Sequence, residues 1–124
     1  MDSPYSKYAV ASISTENNVQ KLMFIFDQVI KLLHQTKRCI EDNDIEGKYK
    51  KLTKLYNVFF NLSGNIDTES DVNSQDSVKV LENFYLLTAY KLQDINIYKE
   101  KENEIDAIIE SITLLRNTLI ENSQ

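Results

Sequence analysis

Apolar residues recur along this chain at the three-and-four spacing of an amphipathic helix, not at the alternation of a strand, and the pattern predicts four helices. The first runs from Asn17 to Asp42, with Val19, Leu22, Met23, Phe26, Val29, Ile30, Leu33 and Ile40 in one stripe. Ser14, Thr15 or Asn17 can cap its start. The polar run Glu41-Asp42-Asn43-Asp44 ends the stripe, and Asp44 is placed to cap the second helix by accepting a hydrogen bond from a free N–H of its first turn. So short a joint makes an antiparallel hairpin. The second helix carries Ile45, Tyr49, Leu52, Leu55, Tyr56, Phe59 and Leu62 on one face and meets Gly64, where a left-handed residue can close it. Residues 65–75 are polar, include Asp67, Glu69 and Asp71, and lack periodicity, so they read as the one long loop. The third helix starts near Asp76 or Ser77, with Val78, Leu81, Phe84, Tyr85, Thr88, Leu92 and Ile95 as its stripe. A charged turn, Lys99 to Glu104, leads to the fourth, where Ile105, Ile108, Ile109, Ile112, Leu115 and Leu119 form a narrow aliphatic seam. The expected fold is all-α, an antiparallel four-helix bundle closed by that seam.

Composition supports this reading. The 124 residues fit one domain spanning 1–124, long enough to bury a core but too short for two. Two glycines and one proline are too few for the turns of a sandwich or barrel. The net charge of −5 disfavours nucleic acid as a partner, since phosphate binding needs a basic surface. A single cysteine, Cys39, forms no intramolecular disulfide and fits a reducing compartment. No segment approaches the roughly 18 uninterrupted apolar residues of a membrane span, and the first residues lack a signal-peptide core, so no membrane insertion and a cytoplasmic location are expected.

Catalytic chemistry has few residues to draw on. Di-metal bundles need Glu-x-x-His pairs on two helices, and the one histidine, His34, has no glutamate three residues before it. No Gly-rich phosphate loop and no nucleophile elbow is present. The expectation is a protein without catalytic residues, metal or cofactor. One alternative is a histidine phosphotransfer domain using His34, with Lys37 three residues on; on the wheel, however, His34 borders the buried stripe and Lys37 falls within it.

The apolar surface exceeds what a bundle needs, an arc of a little over about 100° per helix. On the first helix Ile25, Leu32 and Cys39 recur beside the main stripe, and Phe24 lies almost opposite it. On the third, Val80, Leu87 and Tyr90 fall away from the inner face. Tyr56 and Phe60 crowd one edge of the second, alongside Tyr49, as suits a half-wet interface. Tyr5 and Tyr8 place aromatic anchors in an N-terminal segment, 1–14, expected to cap the bundle. The basic run Lys48, Lys50, Lys51 and Lys54 reads as a solvated face, and Lys50 and Lys54 with Asn57 and Asn61 define the polar back of the second helix. Tyr5, Tyr8, Phe24, Ile25, Leu32, Tyr56, Phe60, Val80, Leu87 and Tyr90 are thus the candidate partner-binding residues.

With the helices placed, the order of features resembles the flagellin-specific export chaperone family, FliS. The resemblance runs nearly end to end. Tyr5-Ser6-Lys7-Tyr8 is similar to that family's opening, and Val10-Ala11-Ser12 stands where its first helix begins. Leu22-Met23-Phe24-Ile25-Phe26-Asp27 resembles its Leu-Met-Leu-Tyr-Asp segment, followed by Val29-Ile30-Lys31-Leu32-Leu33. The joint Ile40 to Glu46, Leu81-Glu82-Asn83-Phe84-Tyr85 and Leu114-Leu115-Arg116 also resemble family segments, while Gln28 and Leu119 depart from the usual small residue and tryptophan. The resemblance implies a cytoplasmic bacterial chaperone that binds the disordered C-terminal segment of flagellin, prevents premature polymerisation, and passes its cargo to the flagellar export apparatus. It also implies that the segment bearing Tyr5 and Tyr8 can occupy part of the cargo site. The competing class is a homodimeric bundle acting as a scaffold or adaptor.

Overall fold

The computed structural model describes residues 16–65 and 74–123. The expected cap segment 1–14, with Tyr5 and Tyr8, and most of the 65–75 loop lie outside the described residues. The described residues form four α-helices, α1 (Glu16–Glu41), α2 (Ile45–Gly64), α3 (Ser74–Ile97) and α4 (Ile105–Ser123), with a 3-10 helix over Lys99–Glu104 before α4. The described residues form an all-α four-helix bundle without strands. Helix α3 starts at Ser74, a little before the expected Asp76, since a helix end is not fixed by the hydrophobic period.

The α1–α2 joint is built by its own side chains. Asn43 adopts the left-handed conformation at φ 58°, its N–H donates to the Ile40 carbonyl at 3.2 Å, and the Asp44 N–H donates to the Cys39 carbonyl at 2.8 Å. This is the double bond of a Schellman closure. Asp44 then caps α2 as expected, its Oδ1 accepting from the Gly47 N–H at 3.0 Å, while Cys39 Sγ donates to Oδ2 at 3.7 Å. A Cβ on Gly47 would meet both the Asp44 carboxylate and, at 3.0 Å, the Cys39 sulfur, so glycine is required by close approach. The expected left-handed closure at Gly64 is not made: no glycine has positive φ, and Asn65 follows at φ −121°. Asparagine tolerates the left-handed region, and here the tight joint at Asn43 uses it.

The core follows the predicted stripes closely in α3 and α4 and with corrections in α1 and α2. Phe26, Val29 and Leu33 of α1 meet Leu52, Leu55 and Phe59 of α2, with Leu81, Tyr85, Ala89, Leu92 and Ile95 of α3 and Ile108, Ile112, Leu115 and Leu119 of α4 completing the cluster. The rings of Phe59 and Tyr85 lie 6.1 Å apart. Three threonines enter this interior, Thr36, Thr88 and Thr118, each satisfied by donating to the carbonyl four residues back. Helix α2 packs along α3, α1 lies against both α2 and α4, and α3 and α4 touch little. Two ion pairs fix the α1–α4 register: Asp27 with Arg116 and Lys37 with Asp106 at 2.8 Å. The step from Asp27 to Lys37 along α1 equals the step back from Arg116 to Asp106 along α4, as antiparallel helices of one rise require.

Several expectations are corrected. Ile45, assigned to the inner stripe, is 76% exposed at the first position of α2, and Tyr49, about 100° round the helix from the buried Lys48, is also exposed. Lys48, assigned to a solvated face, is buried and pairs with Glu102 of the 3-10 helix at 2.6 Å. Cys39, assigned to the outer flank with Leu32, is buried against the Asp44 cap. His34, placed at the core boundary, is exposed. Lys37 lies at the α1–α4 rim, where the hydrogen bond and charge of Asp106 hold its ammonium above the ordinary lysine value.

Candidate functional site

A groove of about 600 Å³ opens along the hairpin between α1 and α2. Helix α1 contributes Phe24, Ile25 and Leu32, and α2 contributes Val58 and Leu62, above a floor of Val29 and Leu55. Helical geometry explains the arrangement. The residues that face the core, Phe26, Val29 and Leu33, leave Ile25 and Leu32 on the flank turned towards α2, while Phe24 projects beyond it and is 65% exposed. Leu55, Val58 and Leu62 make the matching row on α2 at three-and-four spacing. Gln28, Gln35, Lys54 and Asn61 edge the groove with polar groups, so an apolar trough is rimmed by hydrogen-bonding side chains.

A second set of candidate residues gathers elsewhere. Phe60 meets Tyr56 edge-on with ring centroids 6.3 Å apart and meets Tyr90 of α3 edge-on at 5.5 Å. This aromatic row crosses the outer α2–α3 face, with Tyr90 54% exposed. Leu87 points elsewhere again, lining a cleft of about 200 Å³ between α3 and α4 with Phe84, Lys91 and Ile108. Val80 is half-buried on α3. The structure therefore brings Phe24, Ile25 and Leu32 into one groove and Tyr56, Phe60 and Tyr90 into one row, and it keeps these two sets, Leu87 and Val80 apart.

Sequence reasoning missed Val58 and gave Leu62 wholly to the core, although the Leu55-Val58-Leu62 spacing carries the signal for a second row. It also treated Lys54 and Asn61 as the solvated back of α2. Both are exposed, but they stand at the groove's lip. Among the described residues no cluster of histidine, cysteine and carboxylate side chains could hold a metal ion, and no helix is long and apolar enough to cross a membrane. The arrangement can take up apolar side chains from a partner chain.

Comparison with known proteins gives one finding. The family model described as flagellar protein FliS matches residues 1–122. No curated protein and no solved structure gives a match.

Proposed function

Because the chain belongs to the flagellar protein FliS family, a family of flagellar chaperones, we propose that its cargo is the C-terminal segment of flagellin, seated in the α1/α2 groove. The supporting observation is the apolar trough lined by Phe24, Ile25, Leu32, Val58 and Leu62, a surface that a protein with no partner would leave in water at a loss of hydrophobic burial. A disordered amphipathic segment gains that burial as it orders, which offsets its loss of chain entropy. Holding the segment this way keeps flagellin from polymerising in the cytoplasm until the export apparatus takes it. The aromatic row of Tyr56, Phe60 and Tyr90 and the separate positions Leu87 and Val80 extend the cargo path around α2 and α3. Tyr5 and Tyr8 serve as a cap that leaves when cargo arrives.

Titration calorimetry with the C-terminal segment of the same organism's flagellin tests the reading. One-to-one binding at micromolar affinity or tighter is expected, with a large negative heat-capacity change from apolar burial. Absence of heat and of any change in peptide circular dichroism, at concentrations well above about 10 μM, overturns it. A tight homodimer that buries Phe24 and Leu32 would instead assign the groove to self-association.

A further inference from the structure

The apolar trough does not end at Leu32. A second depression of about 630 Å³ continues it towards the α1–α2 joint, sharing Lys31 and Gln35 with the first. Its character changes completely, since Lys31, His34, Arg38 and Lys51 line it, and Lys54 stands at the junction. Lys37, Lys48, Lys50 and Arg116 are engaged with carboxylates, whereas Lys31, Arg38, Lys51 and Lys54 take part in no ion pair among the described residues. Two carboxylates, Asp42 and Asp44, also border the depression. Asp44 is committed to the Gly47 N–H and the Cys39 thiol. Four basic side chains against two carboxylates make this groove locally positive on a chain whose net charge is −5.

We propose that the groove's occupant is an acidic amphipathic segment of a partner chain, with apolar side chains in the Phe24–Leu62 half and carboxylates in the Lys31–Lys51 half. The inference rests on the reading of the groove as the cargo site and adds the chemistry of the cargo. From Phe24 to Arg38 along α1 is about 20 Å at the rise of an α-helix, so a segment of about four helical turns spans both halves. Its carboxylates then fall two to three turns from its apolar anchors. Charge of this kind sets direction and register more than raw affinity, because pairs at a half-exposed lip contribute little each. A segment laid in backwards would put its carboxylates over Phe24 and Ile25 and lose both sets of contacts.

The test compares the wild-type chain, the Lys31→Gln/Lys51→Gln variant and Phe24→Asp, using a fluorescent peptide of the flagellin C-terminal segment at about 50 mM and about 300 mM salt, a range over which screening of such pairs changes strongly. The wild-type chain is expected to bind more weakly at high salt. The double variant should melt normally, bind about three- to tenfold more weakly at low salt, and lose about half of the salt dependence, since Arg38 and Lys54 remain. If Phe24→Asp abolishes binding while the double variant binds like wild type at both salts, the groove reading stands and the charge inference is overturned. If the flagellin peptide does not bind at all, the cargo reading fails. An amphipathic Leu/Glu peptide of about 18 residues set against its Leu/Gln counterpart then decides the charge inference by itself, and equal binding overturns it. Two other occupants would also overturn it. One is the chain's own segment 66–73, if the Glu preference emerges only after Asp67→Asn, Glu69→Gln and Asp71→Asn. The other is a second copy, if sedimentation shows a salt-sensitive dimer that Lys31→Gln/Lys51→Gln abolishes.

Discussion

Lys48 shows how a single residue can be bound by a partner far away in the chain. Its stem lies in the core edge of α2, and its ammonium reaches Glu102 at 2.6 Å, tying the hairpin to the 3-10 helix that turns the chain into α4. The two side chains are 11% and 19% exposed, so removing one leaves the other charge poorly solvated. Lys48→Ala is expected to lower stability by about 1–3 kcal/mol in urea denaturation, whereas the paired change Lys48→Met/Glu102→Gln, which leaves no lone charge, should recover most of it. Tyr85 makes a second residue-scale case. Burial pushes its phenol well above the usual tyrosine value, so the folded chain keeps the proton after the unfolded chain begins to lose it near pH 10. The stability it contributes is complete below that pH and is lost as pH rises further, by up to about 1.4 kcal/mol per unit. Lys37, raised by Asp106, acts in the same direction, with a smaller share because its pair is solvated. Urea midpoints measured from about pH 8 to about pH 12 should fall for the wild type and fall less steeply for Tyr85→Phe; equal slopes would show that Tyr85 does not carry the alkaline loss.

At the scale of the helix, the same spacing rule specifies both core and groove, and substitution separates them. Phe26 is fully buried and Phe24 is 65% exposed, although they stand two residues apart on α1. Phe26→Ala should remove about 3–5 kcal/mol through lost burial and a cavity. Phe24→Asp should change stability by less than about 0.5 kcal/mol and still weaken cargo binding. Comparable destabilisation by both would show that Phe24 belongs to the core. The helices themselves were legible, because the stripes of α3 and α4 alternate cleanly with polar residues. The Asp44 cap was legible too, since it is set by residues three apart. What escaped the sequence was long-range or terminal. Lys48 and Glu102 are 54 residues apart, so nothing local marks the lysine as buried. Ile45 lies in line with Leu52 on the wheel, but it is the first residue of α2, where periodicity is present without a facing helix. Phe24, Ile25 and Leu32 were found as surplus apolar positions, whereas Val58 was hidden among core residues, because a groove wall and a core edge share one helical spacing.

Across the whole molecule, the hairpin of α1 and α2 carries the groove while α4 braces it from behind through Asp27–Arg116 and Lys37–Asp106. Cargo seated in a folded groove, with no comparable affinity for the unfolded chain, stabilises the entire bundle by mass action. At a free cargo concentration of about 100 times Kd the gain is about 2.7 kcal/mol, which for a chain of this length raises Tm by about 8–13 °C. The flagellin C-terminal segment should produce that rise in the wild type. Phe24→Asp should start from nearly the same Tm and show little rise, because its groove is spoiled while its core is intact. Substituting Tyr90 on the α2–α3 face provides the contrast: Tyr90→Ala, in the aromatic row with Phe60, should reduce the rise only in part if the cargo continues around the bundle from the groove. A full rise in Phe24→Asp together with none in Tyr90→Ala would move the primary seat of the cargo from α1/α2 to the aromatic row, and the groove would then need another occupant.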